Sequence, residues 1–386
     1  MVVAALVILL SILIFLGVRE YYQLRLAIAK IPIRIHVNGS RGKSSVTRLI
    51  SAGLRAGGIR TLAKTTGSAP RIIDTEGKDR VIHRLRSASI GEQVKFIRYS
   101  ANLKPEVIVI ECMAVKPQYQ WISEQKMIRS TIGVITNVRP DHLDEMGPTM
   151  EDITRSIGNT IPFNGTLVTT ESQYIKFFKD ISKSRNSSVE ISKYDNISSE
   201  YINKLPYLEH KENVALALKV CELAGIDNKL AFSGMMKANP DPGALILWKL
   251  KFGKNQNSFI NAFAANDPQS TLQIWRLVTK RVPKQPICLF LNTRIDRRFR
   301  TKQLLQLISD KIPTDVLIIR GDNLPSLERI GLQDRRKIRI FSLATEPEEI
   351  IHNLQDLNHY LIFGIGNMVG WGEQFVKELR KYRING

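Results

Sequence analysis

The stretch VNGSRGKSSVTRLI, residues 37–50, places a glycine-rich turn between an apolar run and an amphipathic segment. A P-loop normally has its first glycine five residues before the glycine of Gly-Lys-Ser. Here that position is Val37, and the glycine comes later, at Gly39. The flanking runs at 31–37 and 44–58 predict a strand and a helix. Because this order brings backbone N–H groups and a helix N-terminus together, it predicts a phosphate-binding loop of the form G-x-x-G-K-S.

This loop predicts a site for ATP and Mg²⁺. Lys43 would reach the β- and γ-phosphates, and the Ser44 hydroxyl would bind the metal ion. The alternative is an ordinary strand–turn–helix with a solvated lysine. The residues predicted to contact the nucleotide are Asn38, Gly39, Ser40, Arg41, Gly42, Lys43, Ser44 and Ser45.

The 386 residues leave room for more than one domain, and strand-like and helical patterns alternate along most of them. We expect an α/β fold in three parts: an anchor and connector at 1–30, a parallel-sheet ATP domain at 31–239 and a smaller Rossmann-like domain at 240–386. The run ANPDPGA at 238–244 predicts the turn between the two folded domains, because its prolines and glycine cannot continue a helix.

The N-terminal run VVAALVILLSILIFLGV, residues 2–18, has no charged residue. Its length is at the lower limit for a helix that crosses a bilayer. Basic residues follow the run and none precedes it, which predicts a single-pass anchor with the later domains in the cytoplasm. A buried core helix is the alternative. The three cysteines are far apart in the sequence and show no metal-ligand spacing. Nothing suggests a disulfide framework, which fits a reducing compartment.

The formal net charge of +20 indicates a polyanionic partner or an anionic membrane surface. Basic residues are dense in RIDRRFRTK at 294–302. No nucleic-acid-binding motif accompanies them, so we expect no nucleic-acid partner.

Two further predicted strands end in polar residues. Glu111 ends EVIVIE, and the next strand leads into TNVRPDHLDEMG at 136–147, which contains Asn137 and His142. Ligands of α/β sheets bind outside the carboxyl ends of the strands, so these side chains should lie near the phosphate loop, with Asn137 as a further nucleotide contact. We expect Ser44 and Glu111 to bind Mg²⁺ and His142 to bind a second metal ion.

In this order, G-x-x-G-K-S, a strand-end glutamate and T-N-x-x-x-D-H-L-D resemble the central domain of the Mur ligase superfamily, which includes folylpolyglutamate synthetases. The runs TTGSAPRIIDTEG, ECMAVKPQYQ and LNTRIDRRFRT narrow the resemblance to the ligase subunits of poly-γ-glutamate synthases (PgsB/CapB type). The resemblance covers nearly the whole chain. It implies that Asn213 contacts adenine and that small membrane subunits are partners in synthesis and export. Two positions depart from the wider superfamily: Arg155 replaces a metal-binding lysine, and Ala244 replaces the hinge arginine.

The resemblance implies an ATP-dependent ligase that adds glutamate to a poly-γ-glutamate chain through an acyl phosphate, with Lys43, Glu111 and His142 as catalytic residues. A carboxylate substrate needs cations, for which Arg71, Arg294 and Arg297 are the candidates. Homo-oligomerisation is left open. The alternatives are a membrane-tethered P-loop ATPase or kinase, and a non-catalytic nucleotide-binding regulatory subunit.

Overall fold

The computed structural model describes residues 2–66, 70–84, 88–195, 197–198, 202, 205, 207, 209–240, 245, 247–263, 267–332 and 337–384. The chain divides into two compact units. The first holds Met1–Leu205 and Glu209–Asp241, and the second holds Pro242–Gly386 with the short run Pro206–Leu208. Residues 241–244 of the predicted turn at 238–244, and the tip of the TTGSAP loop at 67–69, lie outside the described residues.

The first unit contains an eight-stranded sheet with helices on both faces. Its described strands are β1 (Ile33–Asn38), β2 (Thr61–Thr65), β3 (Arg71–Ile73), β4 (Asp79–Val81), β5 (Val107–Glu111), β6 (Ile132–Ile135), β7 (Thr166–Thr169) and β8 (Ser188–Ile191). Its described helices are α1 (Val2–Ala29), α2 (Lys43–Ala56), α3 (Gly91–Leu103), α4 (Pro117–Ile122), α5 (Leu143–Met146), α6 (Met150–Gly158), α7 (Ile175–Ser184), α8 (Lys211–Leu223) and α9 (Asn228–Met236), with a π-helix at Ser123–Ile128.

The strand order of this sheet is β4-β3-β2-β5-β1-β6-β7-β8. All neighbours from β2 to β8 pair in parallel, and β3 and β4 add an antiparallel edge. Alternate residues of β5 face opposite helical layers: Val107 and Val109 pack with α2, α8 and α9, whereas Ile108 and Ile110 pack with α3 and the end of α1. The parallel strands therefore end along one common edge, where the phosphate loop lies.

The second unit is a seven-stranded sheet of order β13-β12-β11-β14-β10-β9-β15. Its strands are β9 (Leu247–Phe252), β10 (Asn255–Asn261), β11 (Ile287–Asn292), β12 (Val316–Arg320), β13 (Lys337–Phe341), β14 (Leu361–Gly366) and β15 (Arg383–Ile384). Its described helices are α10 (Pro268–Arg281), α11 (Arg298–Lys311), α12 (Pro347–Leu354) and α13 (Trp371–Leu379), with 3₁₀ turns at Ile295–Arg297, Glu328–Ile330 and Arg380–Tyr382. Helices cover both faces of the sheet, as in a Rossmann-like fold.

The predicted α/β fold with parallel sheets is confirmed. Strands that the sequence did not predict are the inner strand β2 and, nearer the sheet edges, β3, β4, β8, β9, β13 and β15. Strands β8 and β13 are half exposed, so their sequences lack the continuous apolar run of a central strand. The apolar N-terminal run and its connector form one unbroken helix, α1, which is long and apolar enough to cross a membrane.

Candidate functional site

The phosphate loop connects β1 to α2 and depends on two glycines. Gly39 has φ +129° and Gly42 has φ +85°, in the region that favours glycine. A Cβ at Gly39 would lie 2.1 Å from Thr136 Oγ1, and a Cβ at Gly42 would lie 2.7 Å from Asn213 Oδ1. The loop is therefore closely packed against the end of β6 and the start of α8.

Hydrogen bonds fix the loop to the segment after β6. The Arg41 N–H donates to Asn137 Oδ1 (3.1 Å), and the Asn137 amide donates to the Arg41 carbonyl (3.0 Å). Ser40 Oγ donates to the Arg139 carbonyl and accepts from the Arg139 N–H (2.8 and 2.9 Å). Asn137, predicted as a nucleotide contact, thus shapes the loop in this structure.

Helix α2 presents an N-terminus suited to an anion. Its N-cap, Gly42, supplies no side-chain cap, and its first turn contains no acidic residue. The Lys43 ammonium donates to the carbonyls of Gly39 (2.7 Å) and Ser40 (3.1 Å), which keeps it above the loop. Backbone N–H groups, the helix dipole and this lysine therefore converge where a phosphate would bind.

Two predicted nucleotide contacts are already engaged in the protein. The Asn38 amide is buried and donates to Gln120 and Thr160, so only its backbone faces the loop. The Asn213 amide donates to Glu209 Oε1 (2.8 Å). Burial raises the pKa of Glu209, although bonds from His210 and Asn213 oppose this rise. Glu209 was not identified from the sequence.

The structure brings Ser44 and Glu111, the two residues expected to bind Mg²⁺, into direct contact. Glu111 ends β5 with its side chain buried, and its Oε2 accepts from Ser44 Oγ (2.9 Å) and from the Thr66 N–H (2.6 Å). A hydroxyl and a carboxylate at this distance beside a phosphate loop suit Mg²⁺, which takes oxygen ligands and keeps several waters. These two residues fit the implied metal ion.

A buried lysine beside Glu111 was not predicted as part of the site. Lys64 near the end of β2 is 1% exposed, and its ammonium lies 3.1 Å from Gln93 Oε1 and 3.5 Å from Glu92 Oε2. Gln93 in turn donates to the Glu111 carbonyl (3.2 Å). Burial lowers the pKa of Lys64, opposed mainly by the charge of Glu92. This network holds the strand end that carries Glu111.

The described contacts of His142 do not include Ser44 or Glu111. It is the N-cap of α5, half exposed, with φ +45°. Its Nε2 is 3.8 Å from Asp141 Oδ1, which is 3.4 Å from the Arg41 guanidinium. Among the described residues no three His, Cys, Asp or Glu side chains form a group that could hold a metal ion. A metal ion here would therefore take most of its ligands from phosphate and water.

Beneath the loop, His36 of β1 forms a buried pair with Glu124 of the π-helix. His36 Nδ1 lies 2.7 Å from Glu124 Oε2, and both side chains are fully buried. Burial lowers the pKa of His36, but the interactions with Cys112 and Glu124 outweigh it and raise the pKa to about 9. The Glu124 carboxylate also accepts from the N–H and hydroxyl of Ser130 (2.8 and 2.9 Å).

The second unit has an arginine-lined crevice, open to solvent, at the ends of β11 and β14. These strands flank the point where the strand order reverses, which is where open α/β sheets bind ligands. Arg294, Arg297 and Arg300 line the crevice, and Arg294 forms a bidentate pair with Asp296. Burial, Arg300 and Arg294 lower the pKa of Arg297, partly offset by Asp296. The crevice is therefore suited to an anion.

Arg71, the third substrate candidate, belongs to the first unit. It begins β3 directly opposite Thr65, the last residue of β2. This register places it at the same edge of the sheet as Glu111.

Comparison with known proteins identifies relatives across both units. Residues 37–236 match the Mur ligase middle domain, and residues 247–382 match the poly-gamma-glutamate synthase CapB C-terminal domain. The chain is 36% identical to PGA synthase CapB of Bacillus subtilis (strain 168) over 387 residues, covering 98% of each chain. It is also 36% identical to the capsule biosynthesis protein CapB of Bacillus anthracis over 381 residues, covering 96% of this chain and 82% of that protein.

A solved structure shows the same fold at low identity. It is a bifunctional folylpolyglutamate synthase/dihydrofolate synthase from Yersinia pestis, complexed with AMPPNP and Mn ion. The TM-score is 0.62 at 16% identity, covering 94% of this chain and 91% of that one. With the close relatives above, this evidence shows that the chain is an ATP-dependent ligase and belongs to the CapB family of poly-γ-glutamate synthases, within the Mur ligase superfamily.

Proposed function

We propose that this ligase is attached to the membrane and extends poly-γ-glutamate through an acyl-phosphate intermediate, releasing ADP and phosphate. The observation that carries the proposal is the Ser44–Glu111 pair, 2.9 Å apart, beside the open N-terminus of α2. This arrangement suits a nucleoside triphosphate with its metal ion, so the reaction would rest on positioning and electrostatic stabilisation rather than on a covalent enzyme intermediate. The Yersinia enzyme of the same fold holds AMPPNP and Mn, which supports ATP and Mg²⁺ here.

The chemistry has two steps. A carboxylate oxygen at the chain end attacks the γ-phosphorus of ATP, and the bond to the β-phosphate oxygen breaks, releasing ADP. The amine of the incoming glutamate then attacks the acyl carbon, phosphate leaves with the former carboxylate oxygen, and the nitrogen loses a proton. Lys43 would exchange the loop carbonyls for the γ-phosphate, and Ser44 and Glu111 would hold Mg²⁺, which would neutralise phosphate charge. His142 is the proposed ligand of a second metal ion.

Arginines are the proposed substrate contacts. Arg294 and Arg297 line the crevice of the second unit, and Arg71 stands at the edge of the first sheet. A guanidinium matches a carboxylate with two parallel hydrogen bonds, so each suits a glutamate or a chain end. The basic run at 294–302 would lie along the path of the polyanionic product or face a membrane partner.

Helix α1 is the proposed single-pass anchor, with both folded units on the cytoplasmic side. Its apolar window has no buried residue, which is unlike the core helix of a soluble protein. ATP and glutamate are soluble, so the anchor is best explained by a product that must cross the bilayer. We therefore propose small membrane subunits as partners in synthesis and export.

The test is incubation of the full chain in membranes with ATP, Mg²⁺ and labelled glutamate, scored for ADP and for an amide-linked polymer. The proposal expects ADP only when glutamate or its polymer is present, with one ADP formed for each amide bond. ATP turnover without an amide product would instead identify the P-loop ATPase or kinase alternative. Nucleotide binding without turnover would identify the regulatory subunit.

A further inference from the structure

Helix α1 continues past its apolar stretch into the first unit. It runs without a break from Val2 to Ala29, and its last turns bury Leu24, Ala27 and Ile28. These residues join the hydrophobic cluster formed by α3 and the underlying strands. The apolar stretch is therefore connected to the folded unit by rigid helix, with no flexible linker between them.

One arginine of α3 ties the two helices together above this cluster. The Arg98 guanidinium donates to Gln23 Oε1 (2.9 Å) and to the Glu20 carbonyl (3.3 Å), and lies 3.7 Å from Glu20 Oε1. We call Arg98, Glu20 and Gln23 the α1–α3 clasp. Together with the buried turns, the clasp fixes α1 to α3 along about three helical turns.

The length of α1 beyond the clasp matches a bilayer. Residues 2–19 span about 27 Å at 1.5 Å per residue, close to the ~30 Å of a hydrocarbon core. The lipid headgroups would then meet α1 at Arg19–Tyr22. Because Arg98 contacts Glu20 directly, the neighbouring part of α3 lies at the same level.

The side chains exposed at this level have the chemistry of a membrane interface. Tyr21, Tyr22 and Tyr99 are 55%, 63% and 37% exposed, and Arg19 of α1 and Lys95 of α3 are also exposed. Tyrosine is enriched at the headgroup level, and lysine and arginine are attracted to anionic lipids. We call these five residues the headgroup face.

We propose that the α1–α3 clasp holds the first unit directly on an anionic phospholipid surface, with the headgroup face in contact with it. The inference rests on the proposed membrane attachment and goes beyond it, because an anchor alone would leave the catalytic unit free to move. A fixed unit would keep the edge that carries Glu111 at one height above the bilayer, where a growing chain could be passed to a membrane partner.

The test uses the full chain in vesicles of phosphatidylcholine and phosphatidylglycerol that contain a headgroup-spin-labelled lipid. A fluorescent maleimide is attached in Tyr99→Cys, and for comparison in Lys229→Cys on α9, which packs on the opposite face of the sheet. The natural cysteines are buried and should not react in the folded protein. Flotation first establishes that each protein is bound to vesicles.

We expect the spin label to quench the probe at position 99 at least threefold more than the probe at position 229, with less quenching in phosphatidylcholine alone. Adding Arg98→Ala should at least halve the quenching at 99. Lys179→Ala, which removes an equal charge from the distant helix α7, should leave it unchanged. Circular dichroism shows whether the Arg98→Ala variant is folded. If it is unfolded, the test rests on comparing the quenching at positions 99 and 229 in proteins that keep Arg98.

Equal quenching at 99 and 229 in protein that floats would overturn the inference while leaving the anchor intact. Quenching at 99 that survives Arg98→Ala in folded protein would overturn the role of the clasp. Quenching that is the same without phosphatidylglycerol would overturn the preference for anionic lipid. Protein that does not float would overturn the membrane attachment itself.

Discussion

The buried pair of His36 and Glu124 predicts a specific dependence of stability on pH. His36 is in the strand that leads into the phosphate loop, and its pKa is raised to about 9 in the folded protein. A rise from 6.5 to about 9 corresponds to about 3 kcal/mol of extra stability for the folded state with protonated His36. Since the folded pKa is the higher one, this contribution is complete below pH 6.5 and is lost as the pH rises through 9.

The perturbation is Glu124→Gln, which keeps the shape of the side chain and removes its charge. We expect the variant to have a lower free energy of unfolding than the wild type at pH 6, by at most about 3 kcal/mol, because Cys112 as well as Glu124 raises the pKa of His36. By pH 9.5 the difference should shrink, because His36 is then neutral in both proteins. The matched control is Glu106→Gln, whose exposed carboxylate is 3.9 Å from Arg60 and should contribute at most about 1 kcal/mol.

The assay is pulse proteolysis of the full chain in detergent across a urea series at pH 6, 7.5 and 9.5. Mass spectrometry of the cleaved peptides follows the first unit separately from the second. A difference between Glu124→Gln and wild type that stays constant from pH 6 to 9.5 would refute a protonated His36 in the folded protein.

Three other predictions concern the site and the anchor. Lys43→Ala should lower ATP turnover at least about a hundredfold, or about 2.7 kcal/mol of transition-state stabilisation. The free energy of unfolding should not change, because the hydrogen bonds that the described residues give the Lys43 ammonium go to two loop carbonyls. Near-normal turnover would remove the loop from the mechanism. Glu111→Gln and His142→Ala should each lower activity and respond to added Mg²⁺, and full activity of both at low Mg²⁺ would show that the metal assignment is wrong. Deleting residues 1–18, which keeps the buried turns of α1, should leave ATP binding intact but abolish long polymer; unchanged polymer length and yield without membranes would contradict the role of the anchor.

The proximity of Ser44 to Glu111 could be predicted, because the order of strands and helices places both residues at the same edge of the sheet. A strand-end glutamate and the first turn of a loop-bound helix must meet when their strands are parallel neighbours, as β1 and β5 are. Most of the parallel core could also be predicted, since β1, β5, β6 and β7 lie in largely apolar runs. The exception is β2, whose buried sequence TLAKT contains a lysine and two threonines. In β9, LWKLKF alternates buried and exposed residues, which is the pattern of an antiparallel strand covered on one face, although it was not recognised.

The buried charges could not be predicted from the sequence. Lys64, Glu124 and Glu209 each stand in ordinary polar surroundings in the sequence, and long charged side chains are usually exposed. For two of them the partner is distant in sequence: Glu124 contacts His36, 88 positions away, and Lys64 contacts Gln93, 29 positions away. Only the tertiary structure brings these pairs together.

The most direct test of the acyl-phosphate mechanism follows the oxygen atoms of the substrate. Poly-γ-glutamate primer labelled with ¹⁸O in its terminal γ-carboxylate is incubated with the membrane-bound protein, ATP, Mg²⁺ and unlabelled glutamate, and the released phosphate is analysed by mass spectrometry. Attack of the γ-carboxylate on ATP predicts that one labelled oxygen appears in phosphate for each primer molecule that is extended, released with its first amide bond, and that ADP is the other product. Later amide bonds use the γ-carboxylates of unlabelled glutamate and release unlabelled phosphate. Extension of the primer without any labelled phosphate, or with AMP and pyrophosphate, would contradict the account.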